Sequence, residues 1–100
     1  MSTIVHFEIH IDPAKLGEAP RVLSETLAAT RAWPGNEGLE ALTDDADPCH
    51  IVVVEKWSST QAHDSYSEWR TTPDGKNDLG AILVAPPALQ RYSNTIPLGI

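Results

Sequence analysis

Four side chains of one predicted helix have types and spacing that could do chemistry. The stretch Ser59–Thr71 contains His63, Tyr66, Trp69 and Arg70, and helical spacing places the two aromatic residues on one face with the other two beside it. A histidine can remove a proton near neutral pH, and an arginine can stabilise the oxyanion that results. We therefore predict His63 as a base and Arg70 as an anion holder. Tyr66 and Trp69 would contact a flat ring.

Each of these residues also has a plainer interpretation. The two aromatic side chains could be core anchors that pack on a sheet, as any small domain requires. His63 could be an ordinary exposed histidine. Arg70 could form a surface ion pair with Glu68 or Asp74, which lie close to it in the sequence. The helix alone does not choose between a pocket and a core.

Polar residues alternate along the first predicted strand and raise the question of a metal site. His6, Glu8 and His10 point to one side of it. Residues four apart in a strand are separated by roughly 13 Å, so His6 and His10 cannot share one ion. A site at His6 and Glu8 would need a third ligand such as His50. We expect no metal here, and instead a polar lining or a hydrogen-bond network at a dimer interface.

A carboxylate, Glu55, interrupts the most apolar strand of the chain. A charge in that position must be paired or face a cavity. We expect a basic residue of a neighbouring strand, Arg91, to pair with it, and we expect Trp57 to belong to the core.

The elements that must position these residues follow from periodicity and from the turn residues. A helix begins after Asp12 and runs to about Ala32, with a break near Glu18 because Pro20 interrupts it. The next long helix begins with capping-box spacing from Ser58 to Gln61. The remaining predicted elements are strands at Thr3–Ile11, Gly38–Thr43, His50–Trp57 and Leu89–Thr95 and a short helix at Asp78–Val84.

This order predicts an α+β, ferredoxin-like fold, with a four-stranded antiparallel sheet and helices on one face. The run Ile51–Val54 is continuously apolar, which is typical of a strand covered on both faces. A second copy of the chain is the commonest cover for an open sheet face. We therefore expect a homodimer formed through that face.

Composition narrows the class of protein. The 100 residues predict a single domain, 1–100, and the net charge is −7 with seven scattered basic residues. Nucleic acid and anionic membranes are therefore not expected as partners. The first residues do not resemble a secretory signal, and the one cysteine, Cys49, suits a reducing compartment, so we expect a cytoplasmic protein.

Several short segments resemble one family. The sequences WPG at Trp33–Gly35, EKW at Glu55–Trp57 and EWR at Glu68–Arg70 are similar to those of the antibiotic biosynthesis monooxygenase domain family. The resemblance implies a dimeric ferredoxin-like α/β barrel. It also implies a cofactor-independent monooxygenase that acts on an aromatic phenol or quinol, with neither a cofactor nor a metal ion.

The resemblance does not extend to the haem-degrading branch of that family. The first strand lacks its asparagine, Tyr66 stands where its tryptophan would be, and Pro73–Val84 contains no histidine. Two other functions stay open: a non-catalytic dimer that binds a small ligand or serves in stress, and a purely structural dimerisation module. An open apolar cavity beside His63 or Arg70 would argue against the structural module.

Overall fold

The computed structural model describes residues 2–100. Two α-helices and four strands are joined by short 3₁₀ segments at Pro13–Glu18, Pro73–Gly75 and Leu79–Ile82. In chain order the strands and α-helices are β1 (Thr3–His10), α1 (Ala19–Ala32), β2 (Asn36–Asp44), β3 (Asp47–Trp57), α2 (Thr60–Arg70) and β4 (Ala88–Tyr92).

The strands form one sheet in the order β2-β3-β1-β4, and each neighbouring pair is antiparallel. The central pair, β1 with β3, runs in register from Thr3 opposite Trp57 to His10 opposite His50. Both α-helices pack on one face of the sheet. This arrangement confirms the predicted α+β, ferredoxin-like fold.

The break predicted in the first helix is present. Pro13–Glu18 forms a 3₁₀ segment that Asp12 caps through the N–H of Ala14, and α1 begins at Ala19. Pro20 then occupies the first turn of α1, where a missing N–H leaves no hydrogen bond unmade.

The predicted cap of α2 is wrong by one residue. Ser59 is the N-cap, and its side chain accepts a hydrogen bond from the N–H of Ala62. Gly35 allows this helix to approach the end of α1. Its φ of 95° suits glycine, and a Cβ there would lie 2.5 Å from the Cβ of Ala62.

The second half of the chain departs most from the predicted bounds. The expected helix Asp78–Val84 is a single 3₁₀ turn at Leu79–Ile82, because backbone hydrogen bonds at its C-terminal end tie this segment to the end of β1. The N–H of Asp12 donates to Ile82, and the N–H of Val84 donates to His10. The last strand ends at Tyr92, three residues earlier than predicted.

The core lies between the helices and the sheet, and β3 shows how the two faces divide. Ile51, Val53 and Trp57 are buried under the helices, whereas Val52 and Val54 are half-buried on the opposite face. We call the first the covered face and the second the open face. Within one chain the apolar run is therefore covered on one side only. Among the helices of residues 2–100, none is both long and apolar enough to cross a bilayer.

Candidate active site

A cavity of about 270 Å³ lies between the covered face and the two α-helices. This volume is close to the lower end of small-molecule sites. Its wall is mostly apolar, with Phe7, Leu23, Leu27, Val53, Leu79, Leu83, Pro87 and Leu89. A small set of polar side chains interrupts that wall: Thr26, Glu55, His63, Tyr66, Ser67, Arg70 and Asn77.

The structure brings three of the four predicted site residues to this cavity. His63, Tyr66 and Arg70 line it. Trp69 does not. It packs against Trp33, the residue that caps the C-terminal end of α1. The two indole rings pack with their centroids 5.0 Å apart. Trp69 is thus part of the aromatic packing behind the cavity wall.

His63 is buried, with 3% of its surface exposed, so the interpretation as a surface histidine is wrong. Its ring packs edge-on against Trp57 at 5.4 Å between centroids. Burial lowers the pKa of His63, and the charge of Arg91 lowers it further, while Asp64 acts in the opposite direction. His63 is therefore held toward its neutral form, which is the form that accepts a proton.

One ring nitrogen of His63, Nδ1, is a buried polar atom. Nδ1 is buried and has no hydrogen-bond partner among residues 2–100. Leaving such a polar atom unsatisfied costs about 1–3 kcal/mol. A catalytic role is one reason for a protein to retain such an atom.

Arg70 is held inside the protein by hydrogen bonds, and the predicted surface pair with Glu68 or Asp74 is wrong. Its Nε donates to the hydroxyl of Tyr66 at 2.7 Å. Its Nη2 donates to the carbonyl of Thr26 at 2.7 Å and to the hydroxyl of Thr30 at 3.1 Å, both in α1. Arg70 therefore ties α2 to α1.

The turn after α2 completes the environment of Arg70. Nη1 donates to the carbonyl of Gly75 at 3.2 Å, and the guanidinium carbon lies 4.9 Å from the centre of the Trp69 ring. A Cβ at Gly75 would lie 2.1 Å from the carbonyl oxygen of Trp69, so only glycine fits there. Four of the five guanidinium N–H groups are thus committed within the chain.

Glu55 is a cavity residue that the sequence analysis did not assign to the site. It is 4% exposed, and the indole N–H of Trp57 donates to its Oε1 at 2.9 Å. Burial raises the pKa of Glu55, against smaller opposing effects of that hydrogen bond and of the Arg70 charge. The carboxyl is therefore held toward its protonated form, at the wall of the cavity.

The predicted pairing of Glu55 with Arg91 is wrong. Both residues lie opposite Val5, one from each side, so the whole of β1 separates them. Arg91 forms its ion pair with Asp64 of α2. The odd-numbered residues of β3 from Ile51 to Trp57 all point to the covered face. This alternation is the sequence signal that could have placed Glu55 in the cavity.

Comparison with known proteins identifies the family. The sequence model of the antibiotic biosynthesis monooxygenases matches residues 2–76. The chain belongs to this family. No curated protein matches the chain.

Solved structures support the fold of this family member. A protein of Mycobacterium tuberculosis is 20% identical, with 98% of this chain and 99% of that chain covered and a TM-score of 0.76. A candidate antibiotic biosynthesis monooxygenase of Deinococcus radiodurans is 17% identical, with 98% and 97% covered and a TM-score of 0.76. One from Bacteroides thetaiotaomicron is 25% identical, with 97% and 92% covered and a TM-score of 0.70. Identities this low support the fold and leave the substrate open.

Proposed function

We propose that this family member is a cofactor-independent monooxygenase that acts on an aromatic phenol or quinol held in the cavity. The observation that carries the proposal is the pairing of a mostly apolar cavity with a buried histidine held toward its neutral form. A cavity of about 270 Å³ suits one or two fused rings, given that about 150 Å³ accommodates benzene. It also argues against the purely structural module, which needs no such space.

The proposed reaction begins with proton transfer. His63 takes the proton of the substrate hydroxyl, and the resulting phenolate donates an electron to dioxygen. The phenoxyl radical and superoxide combine to form a carbon–oxygen bond at the ring. Loss of water then breaks the oxygen–oxygen bond and gives a quinone. One phenol and one dioxygen thus yield one quinone and one water, and all the electrons come from the substrate.

The other polar groups have supporting roles in this proposal. Burial raises the pKa of Glu55, and in its protonated form this carboxyl would donate a hydrogen bond to a substrate oxygen. The ring of Tyr66 contacts the substrate, and Arg70 orients that ring through its hydroxyl. The Arg70 charge also favours a nearby phenolate, although its committed donors make it a weaker anion holder than the sequence predicts. Trp69, predicted as a ring contact, instead supports the guanidinium.

Oxygen uptake tests this proposal. Tag-free protein is assayed with a panel of hydroquinones and hydroxynaphthalenes in the presence and absence of a chelator. We expect uptake that the chelator does not change. His63→Gln removes the base and should lower kcat by roughly 10²–10⁴-fold. His6→Gln is the matched control, since His6 is exposed on the opposite face of the sheet.

The assignment of the base is overturned if His63→Gln turns over at the parental rate. Ligand-induced thermal stabilisation without oxygen uptake would instead favour the second candidate, a non-catalytic small-ligand-binding or stress-related dimer. The observation behind that candidate is the set of hydrogen bonds made by Arg70. They leave the guanidinium at most one N–H with which to stabilise an anion formed during a reaction.

We also propose that two copies pack through their open faces to close an α/β barrel. Val52 and Val54 are half-buried there, and Leu42 and Tyr92 are each half-exposed. The chain is also thin, at 46 × 35 × 19 Å, as expected of one sheet with one helical layer. A monomeric sedimentation profile at micromolar concentration would contradict the dimer. The lone thiol of Cys49 supports a further proposal, that the protein resides in the cytoplasm.

A further inference from the structure

Two histidines and a glutamate meet on the open face, where β1 ends and β3 begins. His10 lies opposite His50 in the sheet, and Glu8 lies two residues before His10. The Nε2 of His50 is 2.9 Å from Oε2 of Glu8, and the Nε2 of His10 is 4.0 Å from its Oε1. One donor atom from each residue lies within 4.8 Å of the others.

We propose that Glu8, His10 and His50 bind one divalent transition-metal ion, with zinc(II) as the reference ion. Two imidazoles and one carboxylate are a donor set that zinc accepts, with the fourth position of the tetrahedron open to water. Hard ions such as magnesium prefer sets made of oxygen ligands alone. All three donors come from one chain, so the proposed dimer supplies none of the ligands.

A fourth residue fixes the direction of one ligand. The Nδ1 of His50 hydrogen-bonds Oδ2 of Asp44 at 2.9 Å, which leaves Nε2 to face Glu8. Asp44 is itself held by the N–H of Ala46 at 2.8 Å. A carboxylate behind a histidine in this way is the usual support of a metal ligand, because it sets the tautomer and orients the ring.

The observed distances require only a small closure. Zinc–nitrogen bonds of about 2.0–2.1 Å separate tetrahedral donors by roughly 3.3 Å. The rings of His10 and His50 are stacked 4.5 Å apart and nearly parallel, at 4°, so one must turn to aim its nitrogen at a shared ion. The His10 side chain is 46% exposed and can turn at little cost.

A metal-free explanation covers part of this geometry. A protonated His50 between Glu8 and Asp44 would form an ion-paired cluster with the same two short contacts. The two explanations differ at His10, which the ion pairs do not need and the metal site does. His10 therefore decides between them.

Isothermal titration with zinc(II) on tag-free, reduced protein is the test. We expect one saturable site per chain and no binding of magnesium. His10→Asn should weaken zinc binding at least about tenfold, and Asp44→Asn by about ten- to a hundredfold. His6→Asn, on the same strand and face, should bind as the parent does. Cys49→Ser should also bind normally, since this thiol packs against the core.

Melting curves without metal establish that each variant is folded before it is titrated. The proposal is overturned if the parent shows no saturable zinc binding, or if His10→Asn binds as tightly as His6→Asn. Neither result contradicts the proposed monooxygenase activity, because its cavity lies on the other side of the sheet and its assay includes a chelator.

Discussion

The two faces of the sheet treat ionisable side chains in opposite ways. On the covered face, burial raises the pKa of Glu55 and lowers that of His63, so both move toward their neutral forms. On the open face, the hydrogen bond between Asp44 and His50 lowers the pKa of the acid and raises that of the base. Both of these groups move toward their charged forms.

One strand supplies both environments, and this shows what sets them apart. Glu55 and His50 lie five residues apart on β3 and, by alternation, face opposite sides. Desolvation dominates for Glu55, because water is excluded and no cation reaches its carboxyl by hydrogen bond. Paired hydrogen bonds dominate for His50. The covered face therefore favours neutral side chains beside a bound organic molecule. On the open face the two carboxylates favour a positive charge at His50, and a metal ion there has to displace the proton of that ring.

Arg70 is the exception on the covered face, and its removal should have the largest effect. This charge is tolerated among buried groups because acceptors in α1 and at Gly75 surround it. Arg70→Met leaves those acceptors unpaired, and we expect a loss on the order of 2–4 kcal/mol in the free energy of unfolding by urea.

Arg91→Met is the matched control for this prediction. It removes an arginine that also contacts α2, but through an exposed pair with Asp64. Such pairs contribute about 0–1 kcal/mol. Equal losses for the two variants would show that Arg70 is not the hydrogen-bonded tie that its geometry indicates.

Truncating Val53 and its neighbour Val52 compares how much each face contributes to stability. Val53 is fully buried under the helices, so Val53→Ala should lower the free energy of unfolding by about 2–3 kcal/mol. Val52 is half-buried on the open face, and Val52→Ala should cost less than half of that in a single chain.

The same two valine variants also test the proposed dimer, through its dissociation constant. If the open faces form the dimer, Val52→Ala weakens it in sedimentation at low concentration, whereas Val53→Ala leaves the dissociation constant of the folded protein nearly unchanged. The reverse result, with Val53→Ala alone weakening association, would place the dimer contact elsewhere.

Local sequence patterns predicted much of the fold and part of the candidate site. Helical spacing brought His63, Tyr66 and Arg70 together, because residues three, four and seven apart share a side of one helix regardless of what that helix contacts. Strand alternation gave the sheet, and Trp57 was placed correctly in the core. Pro20 marked the start of α1 for a purely local reason.

The errors came from contacts between distant parts of the chain. The acceptors of Arg70 lie 40 and 44 residues away in α1, and no spacing rule connects them. Trp69 packs against Trp33, 36 residues earlier in the chain, and does not line the cavity. His50, considered from the sequence as a third ligand beside His6 and Glu8, instead lies with Glu8 and His10. The register of β1 with β3 decides this, and the sequence of either strand alone does not specify that register.

The smallest predicted effect is the pH dependence of stability that Glu55 causes on the covered face. Because burial raises the pKa of Glu55 above 4.5, the folded protein retains a proton that the unfolded chain has lost above that pH. The stability of the parent therefore falls, through this group, as pH rises from 4.5 through the folded pKa. Glu55→Gln resembles the protonated carboxyl and cannot ionise. The variant should gain stability relative to the parent as pH rises, and the difference should close below pH 4.5.

Urea unfolding of parent and variant across this range gives the difference directly. His63 contributes with the opposite sign, since its lowered pKa makes the fold lose stability as pH falls below 6.5, but this contribution is common to both proteins and cancels. Glu68→Gln, at an exposed position of α2, removes the same single charge and controls for net charge. If Glu55→Gln and Glu68→Gln give the same profile against pH, Glu55 does not ionise in a buried site, and the contrast between the two faces fails at its central residue.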